Sequence, residues 1–172
     1  MTIFVATTNI SAVTTTIAKQ IRQKSPFSSP EQEALLGLRM AAARLLVPWT
    51  QFLKTKADLS TSQYNVLRIL RGSRSSGLTC GEIGERTIAR DPDVTRLVDR
   101  LARRGLVKRT RSETDRRVVQ VDITQKGLDL LRELDPHVQR MPRALLGHVS
   151  QARLHQLSKL LAEVLEGMGT FP

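Results

Sequence analysis

The side chains in this chain that could do chemistry are mostly arginines, and that chemistry is anion binding rather than bond breaking. Residues 86–117 hold 11 basic and 5 acidic groups, so a short stretch supplies +6 of a formal net charge of +11. Its arginines fall on two local patterns. In DPDVTRLVDRLARRG, Val94, Leu97, Val98 and Leu101 recur at i, i+3, i+4 and i+7, one apolar stripe of a helix. Arg96, Asp99 and Arg103 lie opposite that stripe, flanked by Thr95 and Arg100. The helix therefore packs by one face and offers a mostly cationic face outward. Asp91 is the expected cap and Pro92 the first helical residue, with Gly105 as a left-handed stop.

A β-ribbon follows at once. Leu106 to Arg111 reads as a strand and Ser112 to Asp115 as a polar turn. Val119, Val121 and Ile123 then alternate with Gln120 and Asp122, the period of a half-buried strand. Arg109, Arg111, Arg116 and Arg117 at its tip suit phosphate and a narrow groove better than a core. Charge runs are usually solvated faces; the coincidence of this one with a helix and a ribbon favours a nucleic-acid surface. Asp93 and Asp99 oppose phosphate, and Asp99 is expected to orient Arg103 at i+4 or Arg96 at i−3. Arg103 and Arg104 are equally well read as charges complementing a helix end.

Other elements must hold this unit in place. Residues 1–15 are Thr-rich, uncharged and non-periodic, and are expected to be disordered. Ser29, Pro30 and Gln32 open a long helix towards Lys56 with an apolar side running from Leu35 to Leu53, kinked at Pro48. Ser60 with Gln63 and Thr79 with Glu82 are two further capping boxes, separated by the loop Gly72 to Gly77. The second opens a short helix to about Thr87, and a link of three or four residues then leads to the Asp91 helix. That is helix-turn-helix spacing. Thr124 caps a long helix that Pro136 and Pro142 should bend or divide. Ser150 starts the last one, with a wide stripe of Leu154, Leu157, Leu161, Val164 and Leu165. The terminal helices carry more apolar surface than one small module can cover, which points to assembly as a symmetric dimer.

Composition excludes several classes. No apolar run approaches the roughly 18 residues of a membrane span, so no membrane partner is expected. Ile3 to Ile10 lacks the basic start of a signal peptide, and a cytoplasmic protein is the expectation. The single Cys80 excludes an internal disulfide and a cysteine-based zinc site. A redox role for Cys80 is weighed against a small packed thiol, the commoner case. His137, His148 and His155 are spread over the last helices, and no metal or other cofactor is expected. No carboxylate cluster, phosphate loop or nucleophile–histidine constellation stands out, so an enzyme such as a nuclease is not expected.

At this point the residues show a family likeness. The run LTCGEIGERTIARDPDVTRLVDRLARRGLVKRTRSETDRRVVQVDITQKG resembles the DNA reader of the MarR family of winged helix-turn-helix regulators. VTRLVDRL followed by RRGLV, then D-x-R at Asp115 and Arg117, then the ribbon ending in Ile123 and Thr124 carry the likeness. LSTSQYNVLRIL is similar to that family's second helix, and the likeness spans roughly residues 31–166. It implies a mainly α fold with a small β-wing, a winged helix-turn-helix at 58–124 flanked by dimerisation helices at 29–57 and 125–166. An N-terminal extension (1–28) and a tail (167–172) complete the chain. It further implies a homodimer that binds double-stranded DNA and is released by a small-molecule effector or oxidant. Carried over, Pro92–Arg104 is the recognition helix, and Thr95, Arg96 and Arg100 are its DNA-facing residues. Arg117 is the wing arginine of the minor groove, and Asp115 orients it. Arg109, Arg111 and Arg116 position the complex on phosphate. Trp49, Phe52 and Tyr64 are candidates for a ligand pocket, although their commoner role is ordinary core. The function expected is a transcriptional repressor bound to a palindromic operator. An architectural, sequence-tolerant DNA binder is the rival.

Overall fold

In the computed structural model, residues 17–73, 77–88, 93–111 and 118–168 are described. Residues 1–16 lie outside them, including 1–15 where disorder was expected, as do residues 112–117 and 169–172. The elements are α1 (Pro30–Ala57), α2 (Thr61–Gly72), α3 (Cys80–Glu85), α4 (Val94–Arg103), β1 (Val107–Arg111), β2 (Val119–Ile123), α5 (Gln125–Leu146) and α6 (Gln151–Gly167). Two compact units divide the chain after Phe52.

The first unit is a helical turn at 17–20 beside most of α1. Gln32 N–H donates to Ser29 Oγ at 3.2 Å, as the cap requires. The Gln32 side chain reaches one residue further back than expected and accepts from both N and Oγ of Ser28. Arg44 ties the preceding turn down by donating to Gln20 Oε1 at 2.6 Å. The helix runs unbroken through Pro48, which removes one rung of the ladder and leaves its neighbours in place.

The second unit contains the end of α1 and the elements α2 to α6. Both capping boxes form reciprocally. Ser60 Oγ accepts from Gln63 N while Gln63 Oε1 accepts from Ser60 N, and Thr79 and Glu82 do the same. The Glu82 carboxyl is held below its usual range, first by the Thr79 backbone N–H and then by the Thr79 hydroxyl. The core gathers Leu53, Leu59, Val66, Leu67, Ile83, Val98, Leu101, Leu106, Val121 and Leu131, each almost fully excluded from water. Gly105, at φ +70°, turns the chain from α4 into β1, where a side chain would be strained. The ribbon is antiparallel, pairing Val107 with Ile123, Arg109 with Val121 and Arg111 with Val119. A bridge on the other side of β2 was not read from the sequence: Leu78 exchanges both backbone hydrogen bonds with Val121, at 3.1 and 2.8 Å.

Thr124 caps α5 by accepting from Gly127 N at 3.2 Å. Pro136 and Pro142 were expected to bend or divide this segment; they do not divide it, and one helix runs through both. Each proline deletes a single hydrogen bond, and the flanking rungs suffice. Buried residues of α5 are confined to Gly127, Leu131 and Leu134, and α6 has none.

Gly127 sits where α5 crosses the ribbon. A Cβ there would lie 2.3 Å from the Leu106 carbonyl oxygen and 2.8 Å from Ile123 Cγ1. Backbone cannot yield as a flexible side chain does. Gly127→Ala should therefore destabilise the protein by about 1–3 kcal/mol, read as a lower midpoint in denaturant with an unchanged slope. A wild-type midpoint would show that the crossing is looser than described.

Candidate nucleic-acid interface

The geometry is built on α4. Its stripe of Val94, Leu97, Val98 and Leu101 is buried, and Thr95, Arg96, Arg100 and Arg103 are exposed on the other side. The cap differs from the expectation. It is Asp93, not Asp91, whose carboxylate accepts from Arg96 N at 3.1 Å, and the helix starts at Val94 rather than Pro92. In D-P-D-V only the second aspartate stands three residues before that amide. The other oxygen of Asp93 meets Arg96 Nε at 2.9 Å, so one carboxylate both starts the helix and holds a guanidinium at its outer end.

Asp99 has a different partner from those expected. It pairs with Arg109 on β1, not with Arg103 or Arg96. Arg96 is already held by Asp93, and β1 brings Arg109 across from α4. The pair joins the helix to the wing strand. Arg109 thus spends donors on a carboxylate and is a weaker candidate for phosphate than the exposed Lys108 and Arg111.

Arg104 turns away from this face. Its guanidinium donates to the carbonyls of Ala57 at 2.8 Å and Asp58 at 2.7 Å, closing the end of α1. The helix-end reading of Arg104 is therefore right in kind, but the helix it serves is not its own. Asp58 stands at φ +49° there, with Leu59 N–H bonded to the Leu53 carbonyl. No glycine marks this stop, so nothing local signalled it. Lys126 in turn donates to the Arg104 carbonyl at 2.9 Å. A surface groove of about 510 Å³ beside these two cations also escaped the sequence reading; Leu106, Asp129, Leu130 and Glu133 complete its lining.

Asp115, Arg116 and Arg117 lie outside the described residues. Among the other candidates, Trp49 and Phe52 pack their rings 6.1 Å apart in the first unit. Tyr64 is buried in the second, and burial pushes its hydroxyl above the usual phenol range. Cys80 is a half-buried free thiol. Among the described residues, no group of three or more His, Cys, Asp or Glu could hold a metal, and no helix is long and apolar enough to cross a membrane.

Comparison with known proteins decides what this geometry belongs to. A sequence model of the MarR family matches residues 57–118. A crystallised MarR transcription factor from Planctomyces limnophilus is 40% identical, with a TM-score of 0.61 over 79% of this chain and 98% of that one. The chain belongs to the MarR family. The HTH-type transcriptional repressor IacR of Pseudomonas putida is 29% identical over 67% of this chain and 68% of its own. The PcaV regulator of Streptomyces coelicolor, crystallised with its natural ligand, is 26% identical, with a TM-score of 0.62 over 73% and 89%. In this MarR-family transcriptional regulator, α2 to β2 form the winged helix-turn-helix.

The Asp99–Arg109 pair gives a direct test. Both side chains are more than a third exposed, so its loss should cost only about 0–1 kcal/mol of stability. Asp99→Ala removes a carboxylate beside the cationic face and frees Arg109. In titrations with non-specific duplex at several salt concentrations, the log–log slope should steepen by about 0.9. An unchanged slope would place Arg109 away from DNA.

Proposed function

We propose that this regulator binds a palindromic operator as a homodimer, represses from it, and is released by a small-molecule ligand. The observation that carries the reading is α4. Its four apolar residues are fixed inward, so Thr95, Arg96 and Arg100 have only one direction left. The α4 N-terminus meets phosphate, and Arg96 or Arg100 pairs with guanine O6 and N7 in the major groove. Arg111 and Arg116 neutralise phosphate, with Arg109 a lesser contributor. Arg117, oriented by Asp115, enters a narrow minor groove.

The dimer is supported by α6. Leu157, Leu160, Val164 and Leu165 stand 42–70% exposed on a helix with no buried residue. A second copy is the cheapest cover for such a stripe. The repressor reading is supported by the name of the Pseudomonas relative, and ligand release by the ligand in the Streptomyces one. The family's named relatives are transcription regulators, and no catalytic role is assigned.

Selection of bound sites from random duplex should return a palindrome with half-sites about 10–10.5 base pairs apart, centre to centre, or a multiple. Arg96→Ala should relax preference at one position of each half-site by about 1–3 kcal/mol. Arg111→Ala should weaken all sequences alike and reduce the salt slope by about 0.9. Recovery of no discrete palindrome, with any competitor DNA equally effective, would favour a sequence-tolerant architectural binder. Separately, Leu160→Asp should convert the dimer to a monomer in sedimentation while helix content is kept. A wild type that sediments as a monomer would remove the dimer from the proposal.

A further inference from the structure

The reader is attached to α5 at two places. Near the start of that helix, Gly127 lies against the Leu106 carbonyl, and Lys126 holds the Arg104 carbonyl. The second attachment is an ion pair at the far end of the contact. Arg71, in the last turn of α2, points Nη1 at both carboxylate oxygens of Asp135, at 2.9 and 2.8 Å. The two side chains are 31% and 29% exposed, so the pair is shielded from much of the solvent. Between the attachments, Leu131 and Leu134 are buried, but apolar packing has little directional preference. An ion pair with both oxygens engaged does have one.

Its position matters as much as its strength. Leu134 is the last buried residue of α5, and Pro136 is the next residue after Asp135. Proline offers no N–H to the Arg132 carbonyl, so the helix loses a rung just where it leaves the reader. The pair therefore clamps the last residue before a soft point. From Pro136 to Leu146 the helix extends for roughly 16 Å. A tilt of about 10° at the clamp would move its far end by roughly 3 Å, close to one base-pair step of about 3.4 Å.

We propose that the Arg71–Asp135 pair is a positioning pair that sets the separation of the two readers in the dimer, and so the half-site spacing the regulator accepts. This rests on the homodimeric, palindromic reading given above. Neither residue touches DNA in it; both act through the direction of α5.

The test uses the selected palindrome, versions with the half-sites moved one base pair closer or further apart, and a single half-site duplex. Three variants of the full chain are compared: Arg71→Ala, the isosteric Asp135→Asn, and the exchange Arg71→Asp with Asp135→Arg. Wild type should prefer one spacing sharply. Each single variant should bind that spacing about 3- to 30-fold more weakly and accept the shifted duplexes almost equally. Binding to the half-site duplex should stay within about twofold of wild type, and the exchange should restore the preference. A spacing preference unchanged in both single variants would overturn the inference and leave the proposed function standing. Equal losses on half-site and palindrome would also overturn it, because the pair would then only support the reader's fold. A wild type indifferent to spacing would remove the palindromic reading itself, and this inference with it.

Discussion

Burial of four side chains on α4 is the constraint on which the rest depends. Val94, Leu97, Val98 and Leu101 sit at 0–9% exposure against α2, α3 and the ribbon. Each contributes about 1.5–3 kcal/mol at most by leaving water. Turning the helix by one residue, about 100°, would bring Arg96 and Arg100 into the core in one sense and Asp99 in the other. The cost of desolvating an unpaired charge forbids either. Core packing thus decides which side chains face outward, and the cationic face is a consequence of what lies beneath it.

Carboxylates then refine the face that packing creates. Asp93 starts α4 and holds Arg96; Asp99 holds Arg109 across to β1. Acidic groups on a cationic helix face look like a liability when charge alone is counted. Here Asp93 trims the freedom of Arg96, whereas Asp99 takes up donors of Arg109 and ties the helix to the wing strand. Arg104 shows the opposite use of the same side chain. By closing the end of α1 it becomes scaffold, although in sequence it stands beside Arg103.

What was legible in the sequence was local. Capping boxes at Ser60 and Thr79 declare themselves within four residues, Gly105 by its lack of a side chain, and the ribbon by its period of two. The α4 stripe follows from spacing alone. What escaped was long-range or depended on a choice between neighbours. Asp91 and Asp93 are equally good caps on paper, and only the placement of the Arg96 amide separates them. Asp99 has two partners on its own helix by spacing and a third on β1 by tertiary structure. Leu78 bridging Val121, Arg104 reaching Ala57, and Arg71 reaching Asp135 have no periodic signature. The prolines do not divide α5 for a related reason: a propensity is a local cost, and a helix with enough intact rungs absorbs it. The family likeness identified the reader from its middle, where the motif is dense, and pattern alone extended it to the flanking helices.

The central claim is that the outer face of α4 lies against duplex DNA in two symmetry-related copies. Site-directed cleavage measures this most directly. Thr95→Cys in a Cys80→Ser background, carrying an iron chelate at the new thiol, should cut the selected palindrome in two clusters. Those clusters should be symmetric about its centre and separated by about one helical turn or a multiple. Cleavage spread evenly along the duplex, or confined to flanking DNA, would contradict the account.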